Sequence, residues 1–260
     1  MLFLSTFLRT ISILSALLIF IIIIGLLSSF ATNNIIISEF KHVEGDENSE
    51  NKIAVLNLSG LIADLDDSFY GEFISTINPK RVEVYLEELL KIKPKVLIVK
   101  INSPGGTVNA TEKIYKSLKE FKKSNGIDIY FFSDQLITSG AYWIAMSGNN
   151  IYADYGTLIG SIGVRGPDWI FYNKPKSISN GIFGKSIDTI DGIEIYSQSS
   201  GYSKDIYNPF RKPSEAELIH LKSIIDDIYE DFLFKVSKNR KIEINVLKNE
   251  IGGLIYNSKQ

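Results

Sequence analysis

The sequence predicts an α/β fold in which a parallel sheet is flanked by helices. Two observations carry that expectation. Strand-like and helix-like segments alternate from position 53 onward, and Val96 to Ile101 is a nearly continuous apolar run of the kind found in strands covered on both faces. Ile53 to Leu58 reads as the first strand, closed by Ser59-Gly60. Asn78-Pro79 opens a helix whose apolar face is Val82, Leu86, Leu89 and Leu90, with proline in the first turn where its missing N–H costs nothing. The Val96 to Ile101 strand ends at Asn102-Ser103-Pro104-Gly105-Gly106. A helix is expected from about Thr107 to Lys123, with Ile114, Leu118 and Phe121 inward, then a strand over Ile127 to Phe132. Strand, helix, strand, helix in this order implies right-handed parallel crossovers. Near the C-terminus Ser214-Glu215-Ala216-Glu217 has the form of a capping box. After it Leu218, Leu221, Ile224, Ile225, Ile228, Phe232 and Val236 recur at helical spacing, so this helix is expected to pack on something apolar.

The 260 residues, 45% apolar and 22% charged, suffice for one full-sized core. A net charge of -2 supplies no basic field for phosphates, which argues against nucleic acid as a partner. Without cysteine there is no disulfide, thiol nucleophile or thiolate metal site, and no metal or cofactor is expected. Thr10 to Ser38 contains no charged residue and includes Ile21-Ile22-Ile23-Ile24. Such a stretch is long enough to cross roughly 30 Å of hydrocarbon as a helix. Arg9 precedes it and acidic residues from Glu39 to Glu50 follow, which favours a cytoplasmic N-terminus and an external body. Ser29-Phe30-Ala31 has the small-x-small form of a signal-peptide cleavage site, the competing reading. The expected organisation is therefore a membrane anchor or signal peptide over 1–38, a polar tether over 39–52 and a globular body over 53–260.

Three elements could carry chemistry. Ser139, in Thr138-Ser139-Gly140-Ala141-Tyr142, lies where an apolar strand meets a short helix of small residues, a place that serves equally as a plain helix cap. His42 and His220 are the two histidines. One follows the N-terminal apolar segment and the other lies inside the C-terminal helix, so neither suits a Ser-His-Asp arrangement and a nucleophilic Ser139 would draw on a lysine. Gly105-Gly106 could turn backbone N–H groups toward a substrate carbonyl, or could simply be a Pro-Gly turn before a helix. Lys204, in Gly201-Tyr202-Ser203-Lys204-Asp205, taken alone reads as a solvated side chain.

In that order the three elements resemble the signal peptide peptidase A family of membrane-anchored Ser-Lys proteases, from about Ile53 to Arg240. Asn102 to Gly106 is similar to the oxyanion-hole turn and Ser139-Gly140-Ala141-Tyr142 to the nucleophile motif. Ile159-Gly160-Ser161-Ile162-Gly163-Val164 is similar to a further signature, and Tyr202-Ser203-Lys204-Asp205 to the lysine motif. The resemblance implies a crotonase/Clp-protease-like fold, catalytic Ser139 and Lys204 with Ser161 hydrogen-bonded to the lysine, and oxyanion donors from Gly105 or Gly106 and Gly140. It further implies signal peptides and other short hydrophobic peptides as substrates, and a homo-oligomer of the short, single-body type. The setting would be a bacterial plasma (inner) membrane, with the body on the external (periplasmic) side. The stretch from Arg165 to Ser200 is longer than the resemblance leads one to expect, which keeps Lys174, Lys176 and Lys185 open as other lysines. Two rival readings use the same fold: a crotonase-type acyl-CoA enzyme, which exported topology disfavours, and a non-catalytic membrane scaffold.

Overall fold

The computed structural model describes residues 2–31, 40–65, 75–172, 179–181, 184–186 and 199–260. The chain divides into two compact units, Met1–Asn48 and Ser49–Gln260. The first unit holds helix α1 (Leu2–Ala31), in which Phe3–Gly25 has a mean hydropathy of 2.6 and is long and apolar enough to cross a membrane.

The second unit begins with β1 (Ile53–Ser59), β2 (Leu61–Ile62), β3 (Thr76–Ile77), α2 (Pro79–Ile92), β4 (Val96–Asn102), α3 (Val108–Asn125) and β5 (Asp128–Ser133). It continues with β6 (Leu136–Thr138), α4 (Gly140–Ala145), β7 (Asn150–Ala153), β8 (Leu158–Gly160), β9 (Ser179–Gly181) and β10 (Gly184–Ser186). Helix α5 (Glu215–Arg240), a short α6 (Ile244–Val246) running into a π turn, and β11 (Ile255–Asn257) complete it. The main sheet is fully parallel in the order β1-β4-β5-β7. A second sheet, β11-β8-β6, pairs β6 with β8 in parallel and β11 with β8 antiparallel.

The local choices follow the sequence. Asn78 caps α2 by accepting from Lys80 N at 2.9 Å, and Val82, Leu86 and Leu89 are buried while Leu90 faces outward. In β4 every second residue, Leu97, Val99 and Ile101, is wholly buried, and the alternate residues are half-buried, so the strand is covered fully on one face and partly on the other. Ile114, Leu118 and Phe121 of α3 turn inward as the periodicity requires. Helix α5 departs from its expected stripe. Phe232, Leu233 and Val236 are buried, but Leu218 and Ile224 are exposed, because only the C-terminal half of the helix lies over the core.

The C-terminal ends of β4 and β5 are stitched by one amide. Asn102 Oδ1 accepts from Ser133 Oγ at 2.9 Å and from Gln135 N at 3.1 Å, while its Nδ2 donates to Asp134 at 2.7 Å. Lys100 pairs with Asp134 at 2.6 Å, and the two hydrogen bonds, the lysine's first, hold the Asp134 carboxyl below the usual carboxylate range. This fixes the rim of the sheet from which the Ser103–Gly106 turn departs, the end at which open α/β sheets place their sites.

Candidate functional site

Ser139 joins β6 to α4 with φ 53° and ψ -123°, a backbone conformation that a residue with a side chain rarely adopts. The surroundings hold it there. Ser139 N–H donates to Gly160 O at 2.9 Å, Trp143 N–H donates to Ser139 O at 3.0 Å, and all of α4 is buried. A sharp strand-to-helix turn of this kind lifts a hydroxyl out of the backbone's own hydrogen-bond pattern.

The glycine turn presses against that serine. A Cβ on Gly105, whose φ is +100°, would stand 2.7 Å from Gly140 N and 3.1 Å from Ser139 Oγ, so only glycine fits there. Gly105 N–H already donates to the buried Ser103 hydroxyl at 3.1 Å, and Gly105 O accepts from Ile62 N at 2.9 Å. The N–H groups of Gly106 and Gly140 donate to no acceptor among the described residues. Of the expected donors, Gly106 and Gly140 are thus the pair with protons to offer beside Ser139. The two flank a cavity of about 70 Å³ also lined by Thr111, Ser139, Trp143 and Phe232.

Ser161 is half-buried with φ 53°, and its N–H donates to Leu254 O at 2.8 Å. It follows directly on Gly160, the residue that accepts from Ser139 N–H. The structure thus brings Ser139, Gly105, Gly106, Gly140 and the Gly160-Ser161 turn to one place. Lys204 is exposed, on the loop before α5, and does not line the Ser139 cavity. Lys185 lies on β10, while Lys174 and Lys176 fall outside the described residues. His220 is exposed on α5 and lines no part of the cavity. Among the described residues no group of three or more His, Asp or Glu gathers as metal ligands.

The Lys204 loop is tied down through its next residue. Arg211 binds Asp205 at 2.7 and 2.8 Å and Glu217 at 2.7 and 2.9 Å, and Glu217 also closes the capping box on Ser214. The hydrogen-bonded Arg211 guanidinium, acting first, holds both carboxyls below their usual range, and for Glu217 the Ser214 N–H adds to it. Groups with lowered values stabilise above the ordinary carboxylate range and lose that contribution only as pH falls through the lowered values. Arg211 also lies 5.1 Å over the Trp169 ring, whose Nε1 donates to Asn208 O at 3.1 Å. Arg211→Gln is therefore expected to move the acid transition of Trp169 fluorescence to higher pH, toward the ordinary range near ~4. An unchanged midpoint would mean that the loop is held by other contacts.

Sequence reasoning missed two features of this region. Lys235, in the inward stripe of α5, has a side chain only 10% exposed, lies 4.7 Å over the Trp143 ring and 3.5 Å from Glu112, and also pairs with Asp231. Glu112 accepts from Trp143 Nε1 at 3.0 Å. This cluster braces the helix that carries the serine, and the one legible hint was a lysine between the buried Phe232 and Val236. Thr111 is the second feature: its hydroxyl is buried without a hydrogen-bond partner among the described residues.

A parallel α/β body with a conformationally strained serine against a double-glycine turn defines a class of hydrolase-like sites. The profile of peptidase family S49 matches residues 121–260, and the chain belongs to that family. Its relatives include a protein of Enterococcus faecium named as a signal peptide peptidase SppA, 30% identical over 82% of this chain and 58% of that one. A protein of Methanocaldococcus jannaschii named as a protease is 30% identical over 64% of this chain and 48% of its own length. Protease 4 of Haemophilus influenzae is 29% identical over 75% of this chain and 29% of its own. The chain thus spans about half the length of the first two and less of the third.

Proposed function

We propose that the protein is a membrane-anchored serine endopeptidase acting on cleaved signal peptides and other short hydrophobic peptides. The observation that supports this most is Ser139, held at positive φ with the unengaged N–H groups of Gly106 and Gly140 beside it. In this reading the Ser139 proton passes to neutral Lys204 as Oγ attacks the peptide carbonyl. Gly106 and Gly140 donate to the oxyanion, each such donor being worth roughly 3 to 4 kcal/mol. The lysine returns its proton to the departing amine, the C–N bond breaks, and water then hydrolyses the acyl ester. Ser161 orients the lysine.

A lysine in water titrates near ~10.4, so a lysine acting as base must be desolvated. Because Lys204 is exposed in the single chain, the reading assigns its burial to bound substrate or to a neighbouring copy in a homo-oligomer. The same reading places α1 in a bacterial plasma membrane, residues 39–52 as tether and the body on the external face. The exposure of Lys204 is also the observation that favours the rival, a non-catalytic scaffold. A serine-directed acylating probe separates the two. The peptidase should carry one adduct, at Ser139, and lose it in Ser139→Ala, whereas an unlabelled Ser139 in the assembled protein rejects the peptidase reading.

A further inference from the structure

Thr111 is 1% exposed, and its Oγ1 is the buried side-chain polar atom left without a partner among the described residues. A threonine inside a helix can return its hydroxyl to the carbonyl one turn back. Here Thr107 O accepts the Thr111 N–H, at 3.0 Å, and among the described residues it accepts nothing from the Thr111 hydroxyl. An unpaired buried hydroxyl is costly, so its retention asks for a partner that arrives from outside.

Thr111 lines the cavity beside Ser139, and its hydroxyl is packed against Gly140, where a Cβ would stand 2.5 Å from Oγ1. Apart from the Ser139 hydroxyl itself, the other polar side chains there are engaged. Trp143 Nε1 donates to Glu112, and Arg165 is exposed and bidentate on Asp168. Val108 and Phe232 make the remaining wall apolar. The cavity measures about 70 Å³. On the scale at which roughly 150 Å³ admits the six carbons of benzene, it takes about three heavy atoms.

We propose that this cavity receives the side chain on the acyl side of the scissile bond and that Thr111 makes it select a hydroxyl there, serine over alanine. The inference rests on Ser139 being the nucleophile. Alanine and serine both fit the volume, one and two heavy atoms, so the difference between them is the hydrogen bond. A pocket with a buried polar group discriminates against a substrate that leaves the group unpaired.

The test uses two fluorogenic peptides identical except for serine or alanine before the cleaved bond, with the full-length protein in detergent. The wild type should favour the serine peptide by about tenfold in kcat/KM, the value of one neutral hydrogen bond. Thr111→Val, which keeps the shape and removes the hydroxyl, should bring that ratio near one through slower turnover of the serine peptide, and Thr111→Ser should restore the preference. A wild-type ratio near one, a preference that survives in Thr111→Val, or an equal fall on both peptides each overturns the inference. The denaturant midpoint of Thr111→Val should not fall, since the change removes an unpaired polar atom; a fall with the ratio intact assigns Thr111 to packing and also overturns it. Ser139→Ala, run alongside, tests the nucleophile separately: if that variant cleaves both peptides at the wild-type rate, the serine peptidase reading fails while the ratio still reports on Thr111.

Discussion

Lys204→Ala is expected to lower kcat on a short apolar peptide by about 10³- to 10⁴-fold, the range over which a nucleophile loses its positioned base. The fold should survive. Lys204 is exposed and makes no ion pair among the described residues, while the loop that carries it is fastened by Asp205, Arg211 and Glu217. Circular dichroism and thermal unfolding should therefore match the wild type. Lys204→Arg should be as inactive, because a guanidinium does not release its proton in a protein. Wild-type turnover in Lys204→Ala rejects this lysine as the base and returns the question to Lys174, Lys176 and Lys185.

How far the site was legible depended on whether its signal was local. Strand β4, helix α2 and the Ser214 capping box were readable because apolar spacing and turn residues announce them within a few positions. Strand β6 was legible only as an apolar stretch leading into Ser139: Leu136–Thr138 is too short to show a period, and its partner residues in β8 lie 22 positions on. Without the pairing of β6 with β8 the strand-to-helix junction at Ser139 reads equally as a plain helix cap. The positive φ at Ser139 and Ser161 was hidden for a related reason: neither is a glycine, and the hydrogen bonds that enforce the geometry come from Gly160 and Leu254. Gly105 and Gly106 could be suspected from the pair itself, yet only the fold brings Gly105 to within contact of Ser139. The Thr111 hydroxyl left no trace, because a threonine on the inward face of a helix looks like any other filler of a core.

Gly106→Ala is expected to damage stability and activity together, and the reason is backbone rather than side chain. The added Cβ would stand 1.9 Å from Ile62 O, 2.6 Å from its carbonyl carbon and 2.7 Å from its nitrogen. Ile62 is wholly buried and is held on its other side by pairing of β2 with β3, so it has nowhere to retreat. The turn must then move toward Ser139, taking the Gly106 N–H out of line. A loss of about 10² to 10³ in kcat follows if that donor serves the oxyanion, with a cost of roughly 1 to 3 kcal/mol in stability for the overpacking. Gly156→Ala separates strain from position. Gly156, unlike Gly106, has positive φ, +83°, and open space around it, so the substitution strains the backbone without a clash and should cost about 1 kcal/mol and leave turnover unchanged. Urea midpoints and kcat measured on both variants decide the matter: equal activities would mean that the Gly106 turn is structural and that the oxyanion finds its donors elsewhere.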